Sequence, residues 1–188
     1  MTEQGIKIDC VIGIDPGTSA GGIAVYIPGY CTKTVKMPKD IADLRDFLGY
    51  YNENFHPIVF LEKLSVRPDD VALEDGKANM GKLYRIQKMM ANFEHLKAII
   101  EAVGVPYVMV HPASWQSKLK LRQPGVKEEK PERKRRYQSI AAKAYPGVKV
   151  TLWNADALLI MHFGRWALVN DLKWVRANLP QREFLKLF

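Results

Sequence analysis

The chain has 188 residues, 47% of them apolar, with a net charge of +8 and a pI near 9.4. That length and apolar share fit one sizeable domain over residues 1–188, or two small ones, and the apolar share is too high for a disordered chain; apolar runs well short of the roughly 18 residues of a membrane span exclude a spanning helix. The positive balance points to a polyanion, with nucleic acid ahead of a membrane because no strongly basic amphipathic helix is evident, although a merely basic soluble protein fits the same numbers. Cys10 and Cys31 form no CxxC pair and have no Cys/His cluster around them. They read as reduced thiols of a cytoplasm-like compartment, with no zinc indicated. The acidic, Gly-containing start does not read as a signal peptide.

Taken in order, Val11, Ile12 and Ile14 make an apolar run of strand length that ends in Asp15. Pro16-Gly17 turns the chain, and Gly21 to Val25 resumes as the second strand of a hairpin. Asp15 has two readings here: a carboxylate at the end of a buried strand, costly unless paired or bound to a metal, or a side chain that caps the Pro-Gly turn. Tyr30 to Met37 reads as a third strand. Asp40 caps a helix to Tyr51, with Ile41, Leu44, Phe47 and Leu48 at helical spacing. Ile58 to Glu62 is another buried strand that ends in an acid, and ligands bind at that edge of an α/β sheet.

Ser65 to Lys82 reads as a polar loop. Leu83, Ile86, Met90, Phe93, Leu96, Ile99, Ile100 and Val103 then mark a long amphipathic helix over 82–103, ended by Gly104 and Pro106, with its Met89–Met90 face toward the core. Tyr107 to Val110 is a strand running into His111–Trp115. Residues 118–136 form a basic loop carrying Lys118, Lys120, Arg122, Lys127, Lys130, Arg133, Lys134, Arg135 and Arg136 against Glu128, Glu129 and Glu132, with Pro124, Gly125 and Pro131 as breakers. It is either a solvated surface or a row of phosphate contacts, each releasing a counterion. A helix from Arg133 to Tyr145 and a short extended piece from Val148 to Leu152 follow. Asn154 caps a helix through Ala167, apolar almost all round, with Asp156 in its first turn. The tail, about 179–188, reads as a loosely held helix.

Three acids stand out: Asp15 and Glu62 at strand ends and Asp156 at a buried helix start. Clustered carboxylates without Cys or His suit hard, oxygen-preferring cations such as Mg²⁺, with Mn²⁺ as a substitute. Two such ions can serve both sides of a phosphodiester. A cation site and a basic surface together point to a nucleic-acid backbone as substrate.

Gly13-Ile-Asp15-Pro-Gly17 with Gly22-Ile-Ala-Val25, then Leu61-Glu62, Tyr107 to Trp115, and Ala155-Asp156-Ala-Leu-Leu-Ile160 resemble, in order and spacing, the RuvC-like Holliday junction resolvases of the RNase H-like superfamily. The resemblance runs from about Ile8 to Arg165. It implies an α/β fold with an RNase H-like mixed five-stranded sheet flanked by helices, a homodimer, and Mg²⁺-dependent paired nicking of four-way DNA junctions. It carries Asp15, Glu62 and Asp156 over as metal ligands and Lys134 as the closest match to a cation at the scissile phosphate. Lys118, Lys120, Arg122 and Arg133–Arg136 are then the expected DNA contacts. One position departs: relatives place Asp or His three residues before the last Asp, and here Trp153 stands there. Asn154 offers a neutral carbonyl oxygen instead, in competition with its capping role. Other expectations from the same residues are an RNase H-like nuclease acting on RNA or other branched DNA, a junction binder without activity, and an actin-like or sugar-kinase-like ATPase fragment, since Asp15-Pro-Gly-Thr-Ser resembles a phosphate-binding hairpin.

Overall fold

The computed structural model describes residues 8–17, 21–66, 79–122 and 128–180. Its five strands are β1 (Cys10–Asp15), β2 (Gly22–Tyr26), β3 (Lys33–Lys36), β4 (Pro57–Glu62) and β5 (Tyr107–Val110), in the sheet order β3-β2-β1-β4-β5. The pairs β1–β2 and β2–β3 are antiparallel, and β1–β4 and β4–β5 are parallel. This is the mixed five-stranded sheet expected from the sequence. The helices are α1 (Ile41–Asn54), α2 (Met80–Val103), α3 (Pro112–Lys118), α4 (Lys130–Ala144), α5 (Ala155–Asn170) and α6 (Leu172–Asn178).

Both faces of the sheet are covered, which is why β1 and β4 read as unbroken apolar runs rather than alternating ones. Ile12 and Ile14 of β1, with Val59 and Leu61 of β4, pack on Leu44 and Leu48 of α1 and on Phe93, Leu96 and Ile100 of α2. Val11, Ile58 and Phe60 face the other way, onto Tyr137 of α4 and the buried side of α5. Side chains alternate along a strand, so Asp15 shares the α5 face with Val11, and Glu62 shares it with Ile58 and Phe60. The last parallel pair is Ile14 opposite Leu61. One further step in register brings Asp15 opposite Glu62.

Gly13 fixes where α5 crosses. A Cβ there would lie 2.3 Å from the Met161 nitrogen and 2.5 Å from the Ala157 oxygen, so only glycine lets the helix backbone rest on β1. That crossing carries the first turn of α5, with Asp156, to the carboxylate end of β1. The helix is buried almost all round, as its composition predicts.

Several expected boundaries shift for local reasons. Asp40 caps α1 as expected, accepting from the Ala42 nitrogen at 2.7 Å. The expected strand over 30–37 is held to Lys33–Lys36. α2 ends at Gly104 in the left-handed conformation (φ 79°), as predicted, but its first turns bury little: Met80 and Tyr84 are exposed, and of the methionine pair Met90 packs on the core. α4 starts three residues earlier than expected. Pro131 lies in its first turn, where the missing N–H has no intrahelical partner to lose, so it does not break the helix. The basic segment expected as a loop to 136 is therefore helical from Lys130 onward. Residues 148–152 form no strand. The Val150 and Lys149 carbonyls accept from the side chains of Gln138 (3.1 Å) and Asn154 (3.1 Å), so side chains rather than a sheet partner satisfy this backbone. α6 was not expected; Asp171 caps it by accepting from the Trp174 nitrogen at 3.2 Å. Of the loop expected over 65–82, residues 67–78 lie outside the described residues and α2 already begins at Met80; the breakers Pro124 and Gly125, Lys127 and the part of the tail over 181–188 also lie outside them.

Candidate active site

Asp15 leaves β1 into the Pro16-Gly17 turn and accepts from the Gly17 nitrogen at 3.3 Å. The turn-capping reading of this residue therefore holds. Glu62, at the end of β4, accepts from the indole Nε1–H of Trp115 at 3.0 Å. Trp115 is fully buried in α3, so this bond fixes the direction of the Glu62 carboxylate. Asp156 is buried in the first turn of α5 and pairs through Oδ2 with the Lys134 ammonium of α4. Its other oxygen, Oδ1, is buried and has no hydrogen-bond partner.

The electrostatics tie these groups into one cluster. Burial, then the charges of Asp15 and Asp156, push the Glu62 carboxyl up to about 8, against the opposing pulls of Trp115 and Lys134. Burial and the Asp156 charge push Asp15 up to about 6. Burial pulls Lys134 down, but Asp156, Asp15 and Glu62 together outweigh it, and its ammonium is held above the ordinary range. Like charges and burial thus work against the ionised acids, and a positive group relieves them. Among the described residues no three Asp, Glu, His or Cys side chains are drawn tightly enough to cage an ion. The cation within range of all three carboxylates is Lys134.

Glu62, Lys134 and Asp156 line a cleft of about 260 Å³, with Arg122 and Arg133 at its sides and Tyr137 at its wall. Of the expected nucleic-acid contacts, Arg122, Arg133 and Lys134 thus stand at the acids, and Arg136 stands in an adjoining cleft. Lys118 lies elsewhere: its ammonium sits 5.2 Å from the Trp166 ring centroid, beside Phe163 and Trp174. Lys120, in the turn after α3, and Arg135, on the outer side of α4, are exposed.

Asn154 needs correcting in both expected roles. It occupies the N-cap position of α5 but makes no capping bond. Its Oδ1 accepts from the Thr151 nitrogen (2.7 Å) and hydroxyl (3.2 Å), and its Nδ2 donates to Thr34 Oγ1 (3.0 Å) and the Lys149 carbonyl. The amide is fully buried and fully used in holding the 149–154 segment to β3. Its carbonyl oxygen therefore has no free direction for a cation. Trp153 lies over Gly22 of β2, where a Cβ would meet the indole at 2.9 Å. Its ring centroid is 6.0 Å from the Lys36 ammonium. Reading the sequence did not single out Trp115 as the partner of Glu62, or Gln116 and Tyr137 as cleft residues. No local spacing links them to the acids.

No protein-family model matches the chain, and no curated protein matches it. Solved structures do. Over 86% of this chain and 96% of the other, it is similar to Thermus thermophilus RuvC in complex with Holliday junction substrate, with a TM-score of 0.52 and 17% identity. A second Thermus thermophilus RuvC structure gives a TM-score of 0.51 at 16% identity, covering 85% and 95%. The likeness spans nearly the whole of those chains. The chain has the RNase H-like fold in the form seen in RuvC.

Proposed function

We propose that the protein is a divalent-cation-dependent endonuclease that cuts four-way DNA junctions by hydrolysing a phosphodiester on each of two strands. The observation that carries this is that Glu62, Asp156 and Lys134 line one cleft with Arg122 and Arg133, while Asp15, opposite Glu62 in the sheet, acts on the same groups through its charge. One of the similar structures is a RuvC bound to a Holliday junction, which supports the choice of substrate.

The donor set fits a hard cation. Three carboxylates are offered without sulfur or imidazole, two of them are held far from their usual proton affinity, and Asp156 Oδ1 is buried without a partner. Asp15, Glu62 and Asp156 are the residues that would hold Mg²⁺ or Mn²⁺. Bound there, the ion supplies Lewis-acid polarisation of the scissile phosphodiester. The chain's own groups do the rest. Lys134 places a positive charge where negative charge grows on the phosphate oxygens, an electrostatic contribution strengthened by the partly buried site. Arg122 and Arg133 hold flanking phosphates, and the Trp115 indole keeps Glu62 aimed into the cleft. Paired nicking of a two-fold junction calls for two such clefts, hence a homodimer with a two-fold axis.

Incubation with synthetic four-way junctions in Mg²⁺ or Mn²⁺ tests this, with linear duplex, structured RNA and ATP as comparators. Paired, cation-dependent cuts confined to the junction are the expected result. Preferential cutting of RNA would move the same site to another RNase H-like substrate. Tight ATP binding without cutting would favour the actin-like reading, and binding of junctions without cutting would leave a junction-binding protein.

A further inference from the structure

The acid cleft continues beyond Asp156. Gln116, Arg122, Arg133 and Tyr137 line it, and they also line a second cleft of about 260 Å³ that extends to Glu128 and Arg136. One groove therefore runs from the carboxylates, past Tyr137, to the Arg136 guanidinium. In its far half Glu128 closes on Arg136 through two parallel hydrogen bonds, 2.7 Å from Nε to Oε1 and 2.6 Å from Nη2 to Oε2. This fork is the geometry an arginine offers to phosphate as readily as to carboxylate. Among the described residues Glu128 is the one acid lining that half, and the charges of Arg136 and Arg133 both act on it. The Tyr137 hydroxyl beside it is buried, and the Arg136 guanidinium lies 5.2 Å from the Tyr137 ring centroid.

We infer that Arg122, Arg133 and Arg136 form a second phosphate subsite next to the acid cleft, and that Glu128 fills it in the free protein as an internal stand-in for a phosphate of the bound strand. The inference rests on the nuclease reading and adds a built-in competitor to it. The exposure of the pair decides its strength: Arg136 and Glu128 side chains are 22% and 17% exposed. The pair is bidentate and mostly shielded from solvent, so Glu128 competes for the fork, and a strand that offers phosphate to three arginines at once displaces that single carboxylate. Glu128 then lowers affinity without blocking the site, and it discriminates against ligands too short to engage the rest of the groove.

Glu128→Gln keeps the shape and removes the charge. In the full chain, junction binding is read by fluorescence anisotropy in EDTA across a salt series, with melting temperatures recorded in parallel. The expected result is about three- to ten-fold tighter binding at low salt, because one opposing charge is gone from the contact. The logarithmic salt dependence should steepen by about one unit, one net phosphate contact. Adding Arg136→Gln should return the gain. Should Glu128→Gln melt early, Glu128→Asp keeps the charge but cannot span both nitrogens, and a smaller gain in the same direction is expected. Unchanged or weaker binding by a folded variant overturns the inference, as does a gain that survives intact in the Arg136→Gln background. If the wild type cuts junctions and Glu128→Gln binds no tighter, the competitor falls and the nuclease stands. If Glu128→Gln tightens binding to RNA or duplex but not to junctions, the subsite stands and the junction reading falls. If the wild type binds no nucleic acid, both fall.

Discussion

Glu62 and Asp15 sit opposite each other at parallel strand ends, facing the same helix, and both resist ionisation because they are buried and because the neighbouring carboxylates repel a further charge. Glu62→Gln and Asp15→Asn remove one charge each without changing volume. The expected outcome is loss of cutting by a factor of about a thousand or more, in line with removal of a central electrostatic group. Junction binding should survive, because the arginines on α4 are untouched. Cutting assays and gel shifts on the same preparations check this, and persistent cutting in both variants would remove these acids from the site. Lys134 differs in kind: with Asp156 as its ion-pair partner, its loss leaves a buried carboxylate alone, so instability and inactivity arrive together.

α5 and α4 are the elements that assemble the site. α5 reaches β1 only because residue 13 lacks a side chain. Gly13→Ala forces a methyl group into helix backbone at Met161, and relief requires α5 to move away from β1. A loss of about 3 kcal/mol in urea denaturation is expected. Cutting should fall further than the folded fraction does, since the same shift carries Asp156 away from Asp15. On α4, helical spacing sends Arg133 and Arg136 into the groove and Arg135 outward. Replacing Arg122 or Arg133 by Gln should flatten the salt dependence of junction binding by about one unit each. Arg135→Gln and Lys118→Gln should change it less, because those side chains stand off the groove. Equal slopes for all four variants would return the basic run to a solvated surface.

For the whole molecule, the raised carboxyls set a pH dependence of stability. Between the unfolded values, 3.8 for Asp15 and 4.5 for Glu62, and the folded values near 6 and 8, the folded protein holds more protons than the unfolded chain. Stability without cation is therefore full below about pH 4 from this source and falls as pH rises towards 8, by at most about 1.4 kcal/mol per pH unit for each group. Divalent cations prefer the ionised acids, so Mg²⁺ should raise the melting temperature more at pH 8 than at pH 5. A melting curve series over that range, with EDTA or Mg²⁺, is the measurement. A flat profile, or a Mg²⁺ effect independent of pH, would separate the cation from these carboxylates. Among the described residues no helix is long and apolar enough to cross a membrane.

The sequence by itself determined the strands β1, β2, β4 and β5, the long helices, and the placement of Asp15, Glu62 and Asp156 at the ends of buried elements. Each follows from apolar spacing and from Gly, Pro or Asp punctuation within a dozen residues, which is the range over which backbone geometry repeats. It mistook Pro131 for a breaker, because Pro in a first turn and Pro in a loop look alike without the helix beyond. It did not show which way polar side chains turn. Trp115 meets Glu62 across 53 residues of chain, Lys134 meets Asp156 across 22, and Asn154 spends its amide on Thr34, 120 residues away. Those directions depend on which layers pack together: α4 against α5, and the 149–154 segment against β3. Only the tertiary structure decided them, because a hydrogen bond is satisfied by whichever partner packing brings within about 3 Å, and no local period encodes that neighbour.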